Sequence, residues 1–122
     1  MAFSVFHARY GRVVQLSEYQ QRSRATAVYP NAGDNLTYPA LGLCGEAGEV
    51  AEKVKKALRD DGGLLTEERR AALAAELGDV LWYVAQLATE AGLELDTIAD
   101  ENLSKLLSRQ ARDVLQGSGD AR

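Results

Sequence analysis

The sequence predicts an all-α domain like a four-helix bundle, containing an antiparallel helical hairpin. Apolar residues recur at the three-and-four spacing of amphipathic helices, and no segment shows a convincing alternating strand pattern. Turn-forming residues separate the helical segments. The 122 residues, 46% hydrophobic and 26% charged, exclude two full domains. We therefore expect one domain over residues 1–122, with residues 1–15 left unassigned.

The first two predicted helices flank a turn-rich connection. The first covers residues 17–27, where Ser17 and Gln20 have the spacing of a capping box. Pro30 and Pro39, the two prolines of the chain, bracket a run of turn formers, so we expect an irregular segment over residues 29–38. The second helix runs over about residues 41–59 and ends at two aspartates followed by two glycines.

The third and fourth predicted helices follow a short connection. The third runs from an N-cap at Thr66 to a left-handed stop at Gly92. Residues 80–85 place large apolar groups on nearly every side of it, so we expect burial on two faces. The fourth covers about residues 96–114. Its residues expected to face inward are Ile98, Leu103, Leu106 and Leu107.

A carboxylate pattern occurs twice in the second and third helices. Residues 43–54 and 73–84 both read Leu-x-x-Glu-x-Gly-acid-Val-x-x-x-Val. Positions three apart are neighbours on a helix, so each copy presents a pair of acids. The acids are Glu46 and Glu49 in the first copy and Glu76 and Asp79 in the second.

The short connection makes these helices antiparallel neighbours, which brings the four carboxylates face to face. Such a cluster repels itself unless a cation compensates it. Oxygen-only ligands favour Mg²⁺, Mn²⁺ or Ca²⁺ and suit phosphoryl transfer. A di-iron site would require Glu-x-x-His motifs, and the one histidine, His7, lies outside both copies. The alternative interpretation is four solvated acids bordering a helical core.

Composition excludes several other classes of protein. A net charge of -4 disfavours binding to a nucleic acid polymer. The amino-terminal segment lacks the pattern of a signal peptide, and the most apolar window, residues 77–88, is too short to span a membrane. The single cysteine, Cys44, agrees with a reducing cytoplasm, and we expect it to be a small buried residue.

Two stretches resemble the MazG-like nucleoside triphosphate pyrophosphohydrolases of the all-α NTP pyrophosphatase superfamily. They are LGLCGEAGEVAEK at 41–53 and ELGDVLWY at 76–83, and the likeness extends from about Tyr19 to the carboxyl terminus. The resemblance implies Mg²⁺-dependent hydrolysis between the α and β phosphates of a nucleoside triphosphate. The products are the monophosphate and pyrophosphate, with removal of non-canonical nucleotides as one expected role. Mn²⁺ is an expected substitute for Mg²⁺.

The resemblance also implies roles for individual residues. The metal ligands and catalytic residues match Glu46, Glu49, Glu76 and Asp79. The substrate-binding set is Lys53, Tyr83, Asn102, Lys105, Arg109 and Arg122. For Lys53 an ion pair with Glu49 is the alternative, and for Tyr83 a place in the core. Many relatives carry a glutamate where this chain has Gly45, so the resemblance does not identify the residue that acts as general base.

Two expectations concern assembly and the end of the chain. The apolar third helix and the resemblance favour a homodimer or homotetramer. The tail at residues 116–122 has the composition of a disordered end, while the resemblance implies that it folds over a nucleotide. The competing function is a non-catalytic helical module that binds a nucleotide or a protein and keeps the acids as a structural ion site.

Overall fold

The computed structural model describes residues 13–112, which form four α-helices and no strand. This architecture confirms the all-α prediction. Helices α2 and α3 pack together as the predicted hairpin, α1 packs against α3, and α4 packs against α1. None of the described helices is both long and apolar enough to cross a membrane. The helices are α1, Leu16–Arg24; α2, Thr37–Asp61; α3, Glu67–Glu90; and α4, Leu95–Ala111.

Helix α2 begins one turn earlier than the sequence predicts, at Thr37 instead of residue 41. The side chain of Asn35 explains this start, because its Oδ1 accepts a hydrogen bond from the Tyr38 N–H at 3.0 Å. Pro39 is tolerated in the first turn, where a backbone N–H has no helical partner in any case. The predicted irregular connection therefore ends before residue 37.

The predicted capping box of α1 is wrong, because its two residues have partners on distant parts of the chain. Ser17 lies inside the helix, and its N–H donates to Asp96 Oδ1 at 3.1 Å. The buried Gln20 side chain accepts from the Leu95 N–H at 2.8 Å and donates to the Leu93 carbonyl at 2.8 Å. Helices α1 and α4 thus satisfy each other's unpaired amino-terminal N–H groups.

Both predicted ends of α3 are confirmed. Thr66 Oγ1 accepts from the Arg69 N–H at 3.2 Å, as an N-cap side chain does. At the other end Gly92 has a φ of 69°, and the Leu93 N–H bonds the Ala88 carbonyl at 2.8 Å. This is the Schellman arrangement, in which the left-handed residue favours glycine.

The core is small and lies at the carboxyl-terminal half of α3. Ala85 and Ala88 are buried there with Leu95, and Tyr19 and Val84 pack against them. The burial on two faces predicted for residues 80–85 is incomplete: Ala85 is buried, but Leu81 is 37% exposed.

The inward-facing residues predicted for α4 are another correction. All four are exposed in the described chain, because α4 packs against the short α1, which covers one side of it. These residues are Ile98, Leu103, Leu106 and Leu107.

Polar side chains of α3 hold the connection between α1 and α2. The Glu90 side chain is 0% exposed and accepts from the Gly33 N–H at 2.8 Å, the Tyr29 hydroxyl at 2.5 Å and Arg24 Nη2 at 3.1 Å. These donors lower the pKa of Glu90 to about 2, the Gly33 N–H having the largest effect. One turn earlier, the fully buried Gln86 donates to Ser23 Oγ at 3.0 Å. The loop that borders the hairpin is therefore fixed by hydrogen bonds.

Candidate metal centre

The repeated sequence pattern is also a repeated structural pattern. Residues 41–50 on α2 and 71–80 on α3 show the same order of exposed and half-buried side chains. Packing two such helices against each other brings equivalent positions of the two copies together at the middle of the hairpin. The acids of the repeat lie there.

Three of the four predicted acids meet across the hairpin. One carboxylate oxygen each from Glu46 of α2 and from Glu76 and Asp79 of α3 lie within 4.8 Å of one another. Glu46 and Glu76 are half-buried and Asp79 is exposed, so the cluster lies at the surface of the hairpin and is open to a ligand. We refer to these three residues as the acidic cluster.

Electrostatics in the acidic cluster are unfavourable without a cation. Desolvation raises the pKa of Glu46, and the negative charges of Asp79, Glu76 and Glu49 raise it further. Each cause opposes ionisation of the Glu46 carboxyl. A divalent cation between the carboxylates would remove this conflict, and an all-oxygen donor set suits a hard ion such as Mg²⁺.

Glu49, the fourth predicted ligand, lies outside the acidic cluster. Its side chain is exposed, one turn along α2 from Glu46, although its charge contributes to the raised pKa of that residue. Its role as a metal ligand stays a prediction.

Lys53 reaches the acidic cluster from α2. Its Nζ lies 3.2 Å from Glu76 Oε1, with the two side chains 30% and 16% exposed. The sequence left open an ion pair with Glu49 on the same helix, but the structure pairs Lys53 across the hairpin. The predicted substrate-binding lysine therefore lies directly beside a predicted metal ligand.

Tyr83 takes the corresponding place in the second copy. Its ring lies against the α2 backbone at Gly42, where a Cβ atom would overlap the ring. Burial raises the pKa of Tyr83, with smaller contributions from Tyr38, Glu46 and Asp79. Tyr83 is thus partly packed between the helices and lies close to the acids, and its contact with a substrate stays a prediction.

A surface pocket of about 310 Å³ opens beside the acidic cluster. Its lining residues are Thr26, Glu46, Asp79, Trp82 and Tyr83. Trp82 Nε1 donates to Thr26 Oγ1 at 2.8 Å, which ties this wall to the segment after α1. The pocket combines carboxylates with aromatic faces. The sequence did not indicate Thr26 as a lining residue, because no local pattern identifies its distant partner, Trp82.

Trp82 joins the pocket to other aromatic side chains. Within the described chain it makes edge contacts with Tyr29, at 6.4 Å between ring centroids, and with Tyr83, at 5.0 Å. Tyr29 in turn stacks on Tyr38 at 4.9 Å. The pocket wall is therefore continuous with the loop that Glu90 holds.

The remaining predicted substrate residues do not belong to the two helices of the hairpin. Asn102, Lys105 and Arg109 are on α4, which packs against α1, and Arg109 is only 3% exposed. Arg122, with the rest of the tail, lies outside the described residues. Their roles stay predictions. Cys44 is exposed on α2, so its predicted burial is wrong.

Comparison with known proteins gives the family. The profile of the MazG nucleotide pyrophosphohydrolase domain matches residues 35–112, which contain the whole hairpin. The chain is 55% identical over 109 residues to the Gene 37 protein of Mycobacterium phage L5, a match covering 85% of this chain and 96% of the phage protein. No solved structure matches the chain. The chain belongs to the family of MazG nucleotide pyrophosphohydrolase domains.

Proposed function

We propose that the protein is a Mg²⁺-dependent nucleoside triphosphate pyrophosphohydrolase. It cleaves between the α and β phosphates and yields the monophosphate and pyrophosphate, with non-canonical nucleotides as candidate substrates. The observation that carries this proposal is the acidic cluster, whose three carboxylate oxygens lie within 4.8 Å of one another in a MazG-family chain.

The donor set fits a hard divalent cation. Glu46, Glu76 and Asp79 offer carboxylate oxygens from both helices, and Glu49 is the proposed fourth ligand. Mg²⁺ is the expected ion and Mn²⁺ an expected substitute, since both accept oxygen ligands. When bound, such an ion neutralises phosphate charge and makes water a better nucleophile.

The side chains around the acidic cluster suggest how the substrate lies. Lys53 offers an ammonium group to the phosphates, where it can stabilise the charge that develops on leaving pyrophosphate. On the other side, Trp82 and Tyr83 offer aromatic faces to the nucleoside. We keep Asn102, Lys105, Arg109 and Arg122 as further proposed contacts of the substrate.

We also propose that the protein acts as a homodimer or homotetramer in the cytoplasm. Apolar side chains on α2, α3 and α4 are more than half exposed in the single chain, among them Leu41, Leu58, Leu77 and Leu107. A second copy would cover such surface. The net charge of -4 argues against a nucleic acid polymer or an anionic membrane as partner.

A triphosphate panel tests the activity. The protein is incubated with Mg²⁺ or Mn²⁺ and canonical and modified nucleoside triphosphates, and pyrophosphate and monophosphate are quantified, with a chelator as control. Equal amounts of both products, lost on chelation, are expected. Direct release of inorganic phosphate would contradict the proposal. Binding without turnover would instead indicate the non-catalytic nucleotide-binding module. Light scattering on the same sample gives the oligomeric state.

A further inference from the structure

We propose that Lys53 is an internal counter-ion that competes with the divalent cation for Glu76 and transfers to the polyphosphate when the cation binds. This inference rests on the proposed function, because it requires both a cation in the acidic cluster and an anionic substrate.

The ion pair between Lys53 and Glu76 is the starting observation. The ammonium lies 3.2 Å from a carboxylate oxygen, and both side chains are partly shielded from water, which weakens screening. The Lys53 side chain thus brings a positive charge to the acidic cluster. The contact crosses the hairpin, so it links the two helices that supply the carboxylates.

The repeat makes this arrangement asymmetric. Lys53 lies beside Glu76 of the opposite copy, whereas the corresponding position of the second copy holds Tyr83, a neutral residue near Glu46. At this position of the repeat, the first copy therefore supplies a positive charge and the second copy a neutral phenol.

A divalent cation and the Lys53 ammonium conflict at Glu76. Both require carboxylate oxygens of the acidic cluster, and like charges this close repel each other. Binding of the divalent cation should therefore displace Lys53. A phosphate oxygen on a substrate bound to the same cation gives the displaced ammonium a new anionic partner.

The surface next to Lys53 leaves room for this movement. A cavity of about 610 Å³ between α2 and the start of α3 is lined by Lys53, Lys56 and Arg69, with acids including Asp61 also on its wall. Arg69 is already paired with Asp61. The flexible lysine stem can follow a phosphate into this space without breaking helical structure.

The test measures Mn²⁺ binding to the full-length protein without nucleotide, from the electron paramagnetic resonance signal of the free ion. Lys53→Met should bind Mn²⁺ about threefold to tenfold more tightly than wild type, because it removes a competitor and a repelling charge. The matched control is Lys55→Met, which removes the same charge from an exposed pair with Glu52 and should change the affinity less than about twofold. Lys53→Arg should stay near wild type.

The second measurement uses a triphosphate with a methylene bridge between the α and β phosphorus atoms, at saturating Mn²⁺. Lys53→Met should bind this analogue about tenfold more weakly, opposite in direction to its effect on the ion alone. If Lys53 had only a structural role, Lys53→Met would weaken the binding of both Mn²⁺ and the analogue. Circular dichroism verifies the fold, and Lys53→Gln repeats both measurements should the methionine variant lose helical content.

The outcomes separate this inference from the proposed function. Equal Mn²⁺ affinity of wild type and Lys53→Met, with binding lost in Glu76→Gln, would overturn the counter-ion role and leave the metal centre intact. Unchanged analogue affinity in Lys53→Met would overturn the transfer to phosphate. Absence of Mn²⁺ binding to the wild-type protein would overturn the proposed metal centre, and the counter-ion role with it.

Discussion

Helix α3 carries acids in two opposite environments, one near its middle and one at its last residue. The side chain of Glu90, at the end, is fully buried and accepts hydrogen bonds from backbone and side-chain donors, which lower its pKa to about 2. In the middle, Glu76 and Asp79 face Glu46 of α2, and desolvation together with neighbouring charge raises the pKa of Glu46.

The contrast distinguishes an acid that holds the fold from acids available to a ligand. Glu90 already has its donors, so a cation would gain nothing there. The acidic cluster brings three carboxylates together at the surface, with the Lys53 ammonium beside one of them, so carboxylate oxygens are available to a cation. Removing the charge of Glu90 and removing that of an acid in the acidic cluster should therefore have different effects. For Glu90→Gln and Glu46→Gln, the changes in Tm should have opposite signs.

The largest expected effect is loss of activity in the acidic cluster. Asp79→Asn should lower turnover more than about 100-fold, because it removes a charged ligand from the proposed metal centre. Pyrophosphate release measures turnover, and circular dichroism should show unchanged helical content. We expect Glu49→Gln to lower turnover as well. Wild-type turnover in that second variant would remove Glu49 from the proposed ligand set.

At the other acid the expected effect is on stability. Glu90→Gln should lower Tm by about 5 °C or more, because the amide cannot replace a carboxylate that accepts from Arg24, Tyr29 and backbone N–H groups. Thermal unfolding measures this, with the exposed Glu101→Gln as the matched control. A Tm equal to that of the control would show that these hydrogen bonds contribute little.

The pH dependence of this effect follows from the lowered pKa. A carboxyl with a folded pKa of about 2 and an ordinary value of 4.5 contributes stability that is complete above about 4.5. The contribution is lost as pH falls from there toward 2. The difference in Tm between wild type and Glu90→Gln should therefore shrink in acid.

A smaller effect is expected where Tyr83 packs beside the acidic cluster. Gly42→Ala should destabilise the protein by about 1–2 kcal/mol, because the new methyl overlaps the Tyr83 ring. Gly45→Ala, on the same helix with open space around it, should stabilise by about 0.5–1 kcal/mol through helix propensity. Urea unfolding of both variants measures the difference. Equal stabilisation by both alanines would show that Tyr83 moves aside without cost.

The smallest effect has the opposite sign to that at Glu90. Without divalent cations at neutral pH, Glu46→Gln should raise Tm by about 1–3 °C, since it removes a carboxylate whose ionisation the folded state disfavours. A carboxyl whose pKa is raised on folding stabilises the folded state at pH values below its ordinary pKa. That stabilisation is lost as pH rises through the raised pKa of the folded state. The gap between the variant and wild type should therefore widen from pH 4 to pH 8. A lower Tm in the variant at neutral pH would contradict this.

Most features that local sequence determines were predicted correctly, although the start of α2 at Thr37, next to the Asn35 hydrogen bond, was expected at residue 41. The helical periodicities, the Thr66 cap and the Gly92 stop need no information from distant residues, and the two-copy acid pattern indicated the hairpin that brings Glu46 close to Glu76 and Asp79. Each of these depends on residues within a few turns or on two adjacent helices.

What the sequence did not reveal depends on partners far along the chain. The spacing of Ser17 and Gln20 satisfies a local capping rule, but both bond to groups more than seventy residues away, near the start of α4. The position of Glu90 in its helix does indicate distant partners. An acid in the last turn of a helix is unfavourable for the helix dipole, so its presence there indicates donors elsewhere in the fold.

The mutual capping of α1 and α4 has a consequence for shortened versions of the protein. Deleting the chain through Gln20 would remove the acceptor of the Leu95 N–H and the donor to the Leu93 carbonyl, groups that lie at the opposite end of the sequence. Truncation from the amino terminus would thus fray the start of α4, although no residue of that helix had been altered.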